Sequence, residues 1–245
     1  MKKLKDECYL PKNIVFKNLN KKQTLILVFN FLIVFSFSQN KPTSYPNFIG
    51  QNLISISENP DWNILDKADG DLNNDGKLDV ALILESRDSL YEKRCEPCYV
   101  HKNKARIILI LLNQSNSQKV IIQNNLFIAR GDEGGMAPYI EPELSIEKHL
   151  LNIDYQYTRS HLSYTFKFKN NRMILVSAKN SGVTAATGDF ESNAFDFIKN
   201  IIVTETGNIS EEESKIDTLE ITVKPKILSE FKKMYDWQVA KFKYL

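Results

Sequence analysis

Hydrophobic positions fall along this chain in two rhythms. Leu78 to Leu84 and Arg106 to Leu112 are nearly unbroken apolar runs rich in Ile, Leu and Val, the pattern of strands buried on both faces. Asn113 to Gln118 is a polar turn cluster and Lys119 to Gln123 returns as a strand, which predicts a hairpin. Further along, Leu151 to Thr158 and Leu162 to Lys169 alternate instead. Ile153, Tyr155 and Tyr157 share one face of the first, and Tyr164, Phe166 and Phe168 share one face of the second, so burial there is one-sided. Asn170-Asn171 is a tight-turn pair that leads into a third strand at Met173 to Val176. Phe195 to Val203 and Thr218 to Val223 are later strand candidates around a Glu-rich loop at Glu211 to Ser214.

After Pro225 the period changes. Leu228, Phe231, Tyr235, Val239 and Phe242 recur at spacings of three or four, which predicts a helix over 226–243 with one apolar face laid on the sheet. The fold class expected is mainly β (α+β): an antiparallel sheet or sandwich-like meander with a C-terminal helix packed on it. Residues 61–245 form one domain, preceded by a polar, Pro-containing extended arm at 39–60.

Composition changes the picture mainly at the N-terminus. Seven lysines between Lys2 and Lys22 precede the uncharged run Thr24 to Ser38, the layout of an export signal with cleavage expected after Ser38. The run is 15 residues long, short of the ~20 a membrane span needs; an uncleaved N-terminal anchor is the alternative. Residues 1–38 hold seven of the 32 Lys/Arg and two of the 30 Asp/Glu, which leaves 25 against 28, a formal balance of −3. The mature chain therefore carries no basic footprint for nucleic acid or anionic membrane. Its expected place is the periplasm, cell surface or extracellular space, with an envelope or extracellular partner. Cys95 and Cys98 then sit in an oxidising compartment as a local structural bridge or a pair of loop thiols.

The string Asp71-Leu72-Asn73-Asn74-Asp75-Gly76-Lys77-Leu78-Asp79 enters the first apolar run directly. A hard cation takes six to eight oxygens, and alternate positions of a tight loop aim short side chains inward. Asp71, Asn73, Asp75 and Asp79 are the side-chain donors, Lys77 offers its carbonyl, and Ca2+ is the expected ion. The twelfth position is Leu82, where an EF-hand requires glutamate. With its ninth-position acid leading into a strand, the string resembles the calcium loops of FG-GAP and VCBS-type repeats. No second copy occurs, so a propeller is not expected.

Trp62 to Leu65 before Gly70 to Asn73, the strand Arg106 to Leu112, the loop Gly134-Gly135-Met136 with Pro138, and the aromatic strands Tyr164 to Lys169 and Met173 to Val176 extend the likeness. Over residues 62–225 the chain resembles a group of bacterial exported proteins carrying a single motif of this kind in a compact β-rich domain. That resemblance implies export and a fold but no reaction. The insertion Asp88 to Asn103 departs from it.

Catalytic signals are sparse. His101, His149 and His161 have no partner in the sequence, and no Gly-x-Ser-x-Gly elbow or phosphate loop occurs. Asp132 and Glu133 in the Gly-Asp-Glu-Gly-Gly loop offer two carboxylates that general acid–base chemistry would need to hold at different pKa values. A binding or structural role is therefore expected; the alternative is an exported hydrolase using those acids or a metal-bound water.

Overall fold

Strand-forming runs of the two kinds fall into two different sheets, and among the described residues a short two-stranded hairpin makes a third. The computed structural model describes residues 43–94, 98–114, 117–134 and 139–245. The expected leader, Cys95 and Gly135 to Pro138 lie outside the described residues.

Strands β1 (Trp62–Gly70), β2 (Asp79–Glu92), β3 (His101–Gln114) and β4 (Ser117–Asn124) form a four-stranded antiparallel meander. Strands β5 (Glu143–Glu147), β6 (Leu150–Gln156), β7 (Ser160–Lys169), β8 (Arg172–Val183), β9 (Asp189–Asp196), β10 (Ile201–Asn208) and β11 (Ser214–Glu220) form a seven-stranded one in simple sequence order. Neither sheet closes into a barrel or a propeller. The fold is mainly β and antiparallel, as the two rhythms predict.

Between the sheets lies one core. Ala81 and Ile83 of β2 and Ile108 and Ile110 of β3 meet Leu151, Ile153, Tyr155, Tyr164, Phe166, Leu175 and Phe195 from the larger sheet. The alternate residues Val80, Leu82, Leu84, Ile107, Leu109 and Leu111 point the other way into a second core with Phe48, Ile56 and Trp62. Both faces of β2 and β3 are thus buried, which is why their sequences read as continuous apolar runs.

That second core corrects the expectation of an extended arm at 39–60. Within the described part, Phe48 and Ile56 are each 1% exposed, and a short helix, α1 (Leu53–Ser57), is N-capped by Asn52, whose side chain accepts from Ser55 N at 2.9 Å. Gly50 N donates to Val120 O at 2.9 Å and Val120 N to Gln51 O at 3.0 Å. Tethered to β4 in this way, the segment covers the outer face of the small sheet. A strand apolar on both sides needs a second cover, and few apolar residues suffice to supply it.

The C-terminal expectation is corrected in form but not in role. In place of a helix over 226–243, the helical part is one 3-10 turn at Leu228–Glu230, and the chain ends in a hairpin of β12 (Gln238–Ala240) and β13 (Lys243–Tyr244). Leu228, Phe231, Met234, Val239 and Leu245 still enter the main core, whereas Tyr235 and Phe242 adopt positive φ and stay exposed. The cause is competition for carbonyls. Buried Asn124 donates through Nδ2 to Leu228 O at 2.6 Å and Phe231 O at 2.8 Å, and Leu175 N donates to Lys226 O at 3.0 Å. Groups that a helix would bond internally are engaged by the sheets.

Phe195 to Val203 is likewise broken, because Asp196 Oδ1 accepts from Ile198 N and Lys199 N at 3.0 and 2.9 Å and turns the chain between β9 and β10. Asn170 and Asn171 form the expected tight turn, both with positive φ. Cys98 is disulfide-bonded.

Candidate metal loop and buried ionic cluster

The loop from Asp71 to Asp79 joins β1 to β2 and winds on its own amides. Asp75 N donates to Asp71 Oδ1 at 3.1 Å and to Asn73 Oδ1 at 3.0 Å, Gly76 N to Asp71 Oδ2 at 2.9 Å, and Lys77 N to Asp75 Oδ1 at 2.9 Å. Asn73 Nδ2 reaches Asp75 Oδ2 at 3.2 Å. Oxygens of Asp71, Asn73 and Asp75 therefore converge on one turn of chain. Gly76 sits at φ +79°, a conformation that costs side-chain-bearing residues more. Desolvation pushes the Asp71 carboxyl up, but the N–H groups of Gly76, Asp75 and Asn74 and the nearby His149 outweigh it and hold the group below its ordinary value. His149 Nδ1 stands 2.7 Å from Asp71 O, so the β5–β6 turn closes on this loop.

Asp79 has a different setting. It is fully buried at the mouth of β2, and its two oxygens accept from Leu72 N at 3.0 Å and Asn113 N at 2.9 Å. Burial raises its pKa most strongly; the two amides pull the other way and the Asp75 carboxylate pushes further up. Asp79 thus pins the loop to the ends of both β2 and β3. Among the described residues no group of three or more His, Cys, Asp or Glu side chains stands in a metal-holding arrangement. The donor chemistry nonetheless suits a hard cation, since Asp71, Asn73 and Asp75 offer only oxygens to it and each carboxylate oxygen has a second lone pair beyond its amide.

Beyond β2's apolar run lies a cluster that the sequence patterns did not single out. Glu85 and Arg106 are cross-strand neighbours, with Arg106 Nε donating to Glu85 Oε1 at 2.9 Å and its NH1 to Ala129 O and Ile140 O at 2.8 and 2.7 Å. Tyr139 also donates to Glu85, and its ring lies 4.9 Å from the Arg106 guanidinium. Gly131 makes room for that ring, because a Cβ there would fall 2.1 Å from Tyr139 Cε2.

Arg130, fully buried, forks onto Glu92 through Nε at 2.9 Å and NH2 at 2.6 Å and also donates to the carbonyls of Arg106, Ile128 and Asn125. Tyr45 donates to Glu92 Oε1 at 2.5 Å, and burial pushes its hydroxyl up to about 12. Arg94 pairs with Glu133 and donates to Leu126 O and Ile128 O. Three cations and three carboxylates are thereby locked around residues 125–134. The legible signal was small: Glu85 and Arg106 bound the facing apolar runs. Nothing in sequence pairs Arg130 with Glu92, 38 residues apart.

Asp132 and Glu133 line an open groove of about 630 Å³ with Tyr157, Arg159, Lys233 and Tyr235. Glu133 is already committed: besides Arg94 it accepts from Arg130 N at 2.9 Å and lies 3.4 Å from Lys233 Nζ. Desolvation opposes its charge, but Arg94, the Arg130 amide and Lys233 together hold its carboxyl below the ordinary 4.5. An ionised, triply engaged carboxylate has no proton to give and little basicity to offer. His161, at the start of β7, lies 3.2 Å from Asp154 Oδ1 on the surface, and His101 opens β3.

Fold and loop together define an antiparallel two-sheet β domain with an acidic, amide-wound turn at the mouth of its central strands. Comparison with protein-family models, curated proteins and solved structures finds no match. The chemistry of the site is therefore the ground for any reading of function.

Proposed function

We propose that this protein is an exported, calcium-stabilised β domain with a binding or structural role in the cell envelope. The observation that carries the reading is the seat of the loop: Asp79 ties it to Leu72 and to Asn113 at the ends of the two strands buried on both faces. A cation held by Asp71, Asn73, Asp75, the Lys77 carbonyl and Asp79 would neutralise clustered carboxylates and stabilise those strands. A ligand that binds only the folded state raises stability by mass action. Thermal unfolding after chelator dialysis, with calcium and then magnesium restored, tests this directly. A calcium-selective rise that Asp75→Ala abolishes is expected; identical melting with and without calcium would refute the loop assignment.

Export rests on the lysine-rich leader and the apolar run Thr24 to Ser38. Mass spectrometry of the exported protein should find Gln39 at the N-terminus; a membrane-held form beginning at Met1 would favour the anchor instead.

A hydrolase reading has one supporting observation, the placement of Asp132 and Glu133 beside Lys233 and Arg159 in the groove. The engagement of Glu133 by Arg94 weighs against it. A hydrolytic activity lost in Asp132→Asn with the fold intact would reverse the preference.

A further inference from the structure

β11 is an outermost strand of the seven-stranded sheet, paired with β10 from Ile201↔Glu220 to Gly207↔Ser214 without a register shift. All seven of its residues are exposed, Ile216 at 65% and Leu219 at 46%. Because side chains alternate between faces, exposure at every position means that neither face is covered. Among the described residues no strand pairs with its outer edge. Such an edge is a template for another strand, and natural edges are blunted by proline, by a bulge or by charge. β11 has neither proline nor bulge but carries Lys215, Asp217 and Glu220. Its charges then decide which strand fits.

Two copies pairing antiparallel about a two-fold axis place one residue opposite itself, with the flanking residues matched outward. Centring on Lys215 opposes two ammonium groups, and centring on Asp217 opposes two carboxylates. Centring on Thr218 sets Asp217 against the partner's Leu219 and Ile216 against the partner's Glu220. Centring on Ile216 removes every conflict over 214–218: Ile216 meets the partner's Ile216, Lys215 meets the partner's Asp217 and the reverse, and Ser214 meets the partner's Thr218. Opposite charges and apolar pairs directly across strands are stabilising, whereas like charges are not.

We propose that β11 pairs with β11 of a second copy in the Ile216-centred register, joining two seven-stranded sheets into one across a two-fold axis. Lys215 Nζ already lies 2.7 Å from Asp217 Oδ2 within the strand, so both side chains extend from the same face. Pairing turns two such couples into a quartet of alternating sign, with the isoleucines together on the opposite face. The strand's charges thus oppose the Lys215- and Asp217-centred registers, and of the two registers that pair five residues of the strand only the Ile216-centred one sets unlike charges against each other. The inference is independent of the calcium loop, which adjoins the β5–β6 turn at the other end of the sheet.

Sedimentation velocity of the whole chain over a dilution series tests it. Wild type should run as a dimer that dissociates on dilution. Asp217→Lys should abolish the dimer, and Lys215→Asp combined with Asp217→Lys should restore it, with far-UV circular dichroism unchanged in both, as suits side chains 74% and 58% exposed. Under mild oxidation Ile216→Cys should yield a disulfide-linked peptide containing position 216 from both copies, and Leu219→Cys should not yield its counterpart. A wild-type monomer at all concentrations, a dimer indifferent to Asp217→Lys, or failure of the charge swap to restore pairing would each overturn the proposal.

Discussion

Arg130 shows at the scale of one residue how this protein keeps charge inside. Its guanidinium is fully buried, forked onto Glu92 and donated to three carbonyls. Breaking such a pair leaves an uncompensated charge in the interior, so Glu92→Ala should cost about 3–5 kcal/mol in denaturant unfolding. Glu133 predicts a pH dependence. Its folded-state pKa lies below the ordinary 4.5 because Arg94, the Arg130 amide and Lys233 outweigh desolvation. The stability it contributes is fully present above the unfolded-state value and disappears as pH falls through the folded one. Wild type should therefore lose stability on acidification below about pH 4.5. Glu133→Gln should be less stable at neutral pH and show a flatter decline in that acid window.

Among the elements, the C-terminal segment shows where local pattern ends. A spacing of three and four placed Leu228, Phe231 and Val239 correctly against the sheet, yet not as a helix. Phe231 packs against Phe127, Tyr164, Phe166 and Trp237 in an aromatic cluster, and Asn124 takes the carbonyls that a helix would need. Asn124 also accepts from Leu126 N and Phe127 N. Asn124→Ala should thus loosen both segments at once, at a cost of about 1–3 kcal/mol for the unsatisfied groups. Faster amide exchange at Leu126 and Phe127 together with the C-terminal segment would report it. The β2–β3 pair was legible because strands buried on both faces can hardly be written any other way. The short, polar β11 was half-missed, since exposure on both faces leaves no apolar period to read.

For the whole molecule, coverage is the governing fact. The seven-stranded sheet protects one face of β2 and β3, and residues 43–60 protect the other. Phe48→Ala should cost about 3–5 kcal/mol, as for a buried aromatic elsewhere, although the residue lies in a segment whose composition reads as a solvated arm. Urea unfolding should show this as a lower midpoint. The turn chemistry of Asp71 to Asp79, the paired strands and the absence of a repeat follow from residues near one another in sequence, because steric preference and side-chain periodicity act locally. Which carbonyls Asn124 engages, which acid Arg130 meets, and that Asp79 accepts from Asn113 on the neighbouring strand depend on groups that meet only when distant segments come together. Those choices belong to the fold, since burial sets the energy of a charge or a hydrogen bond and burial exists only once distant segments have come together.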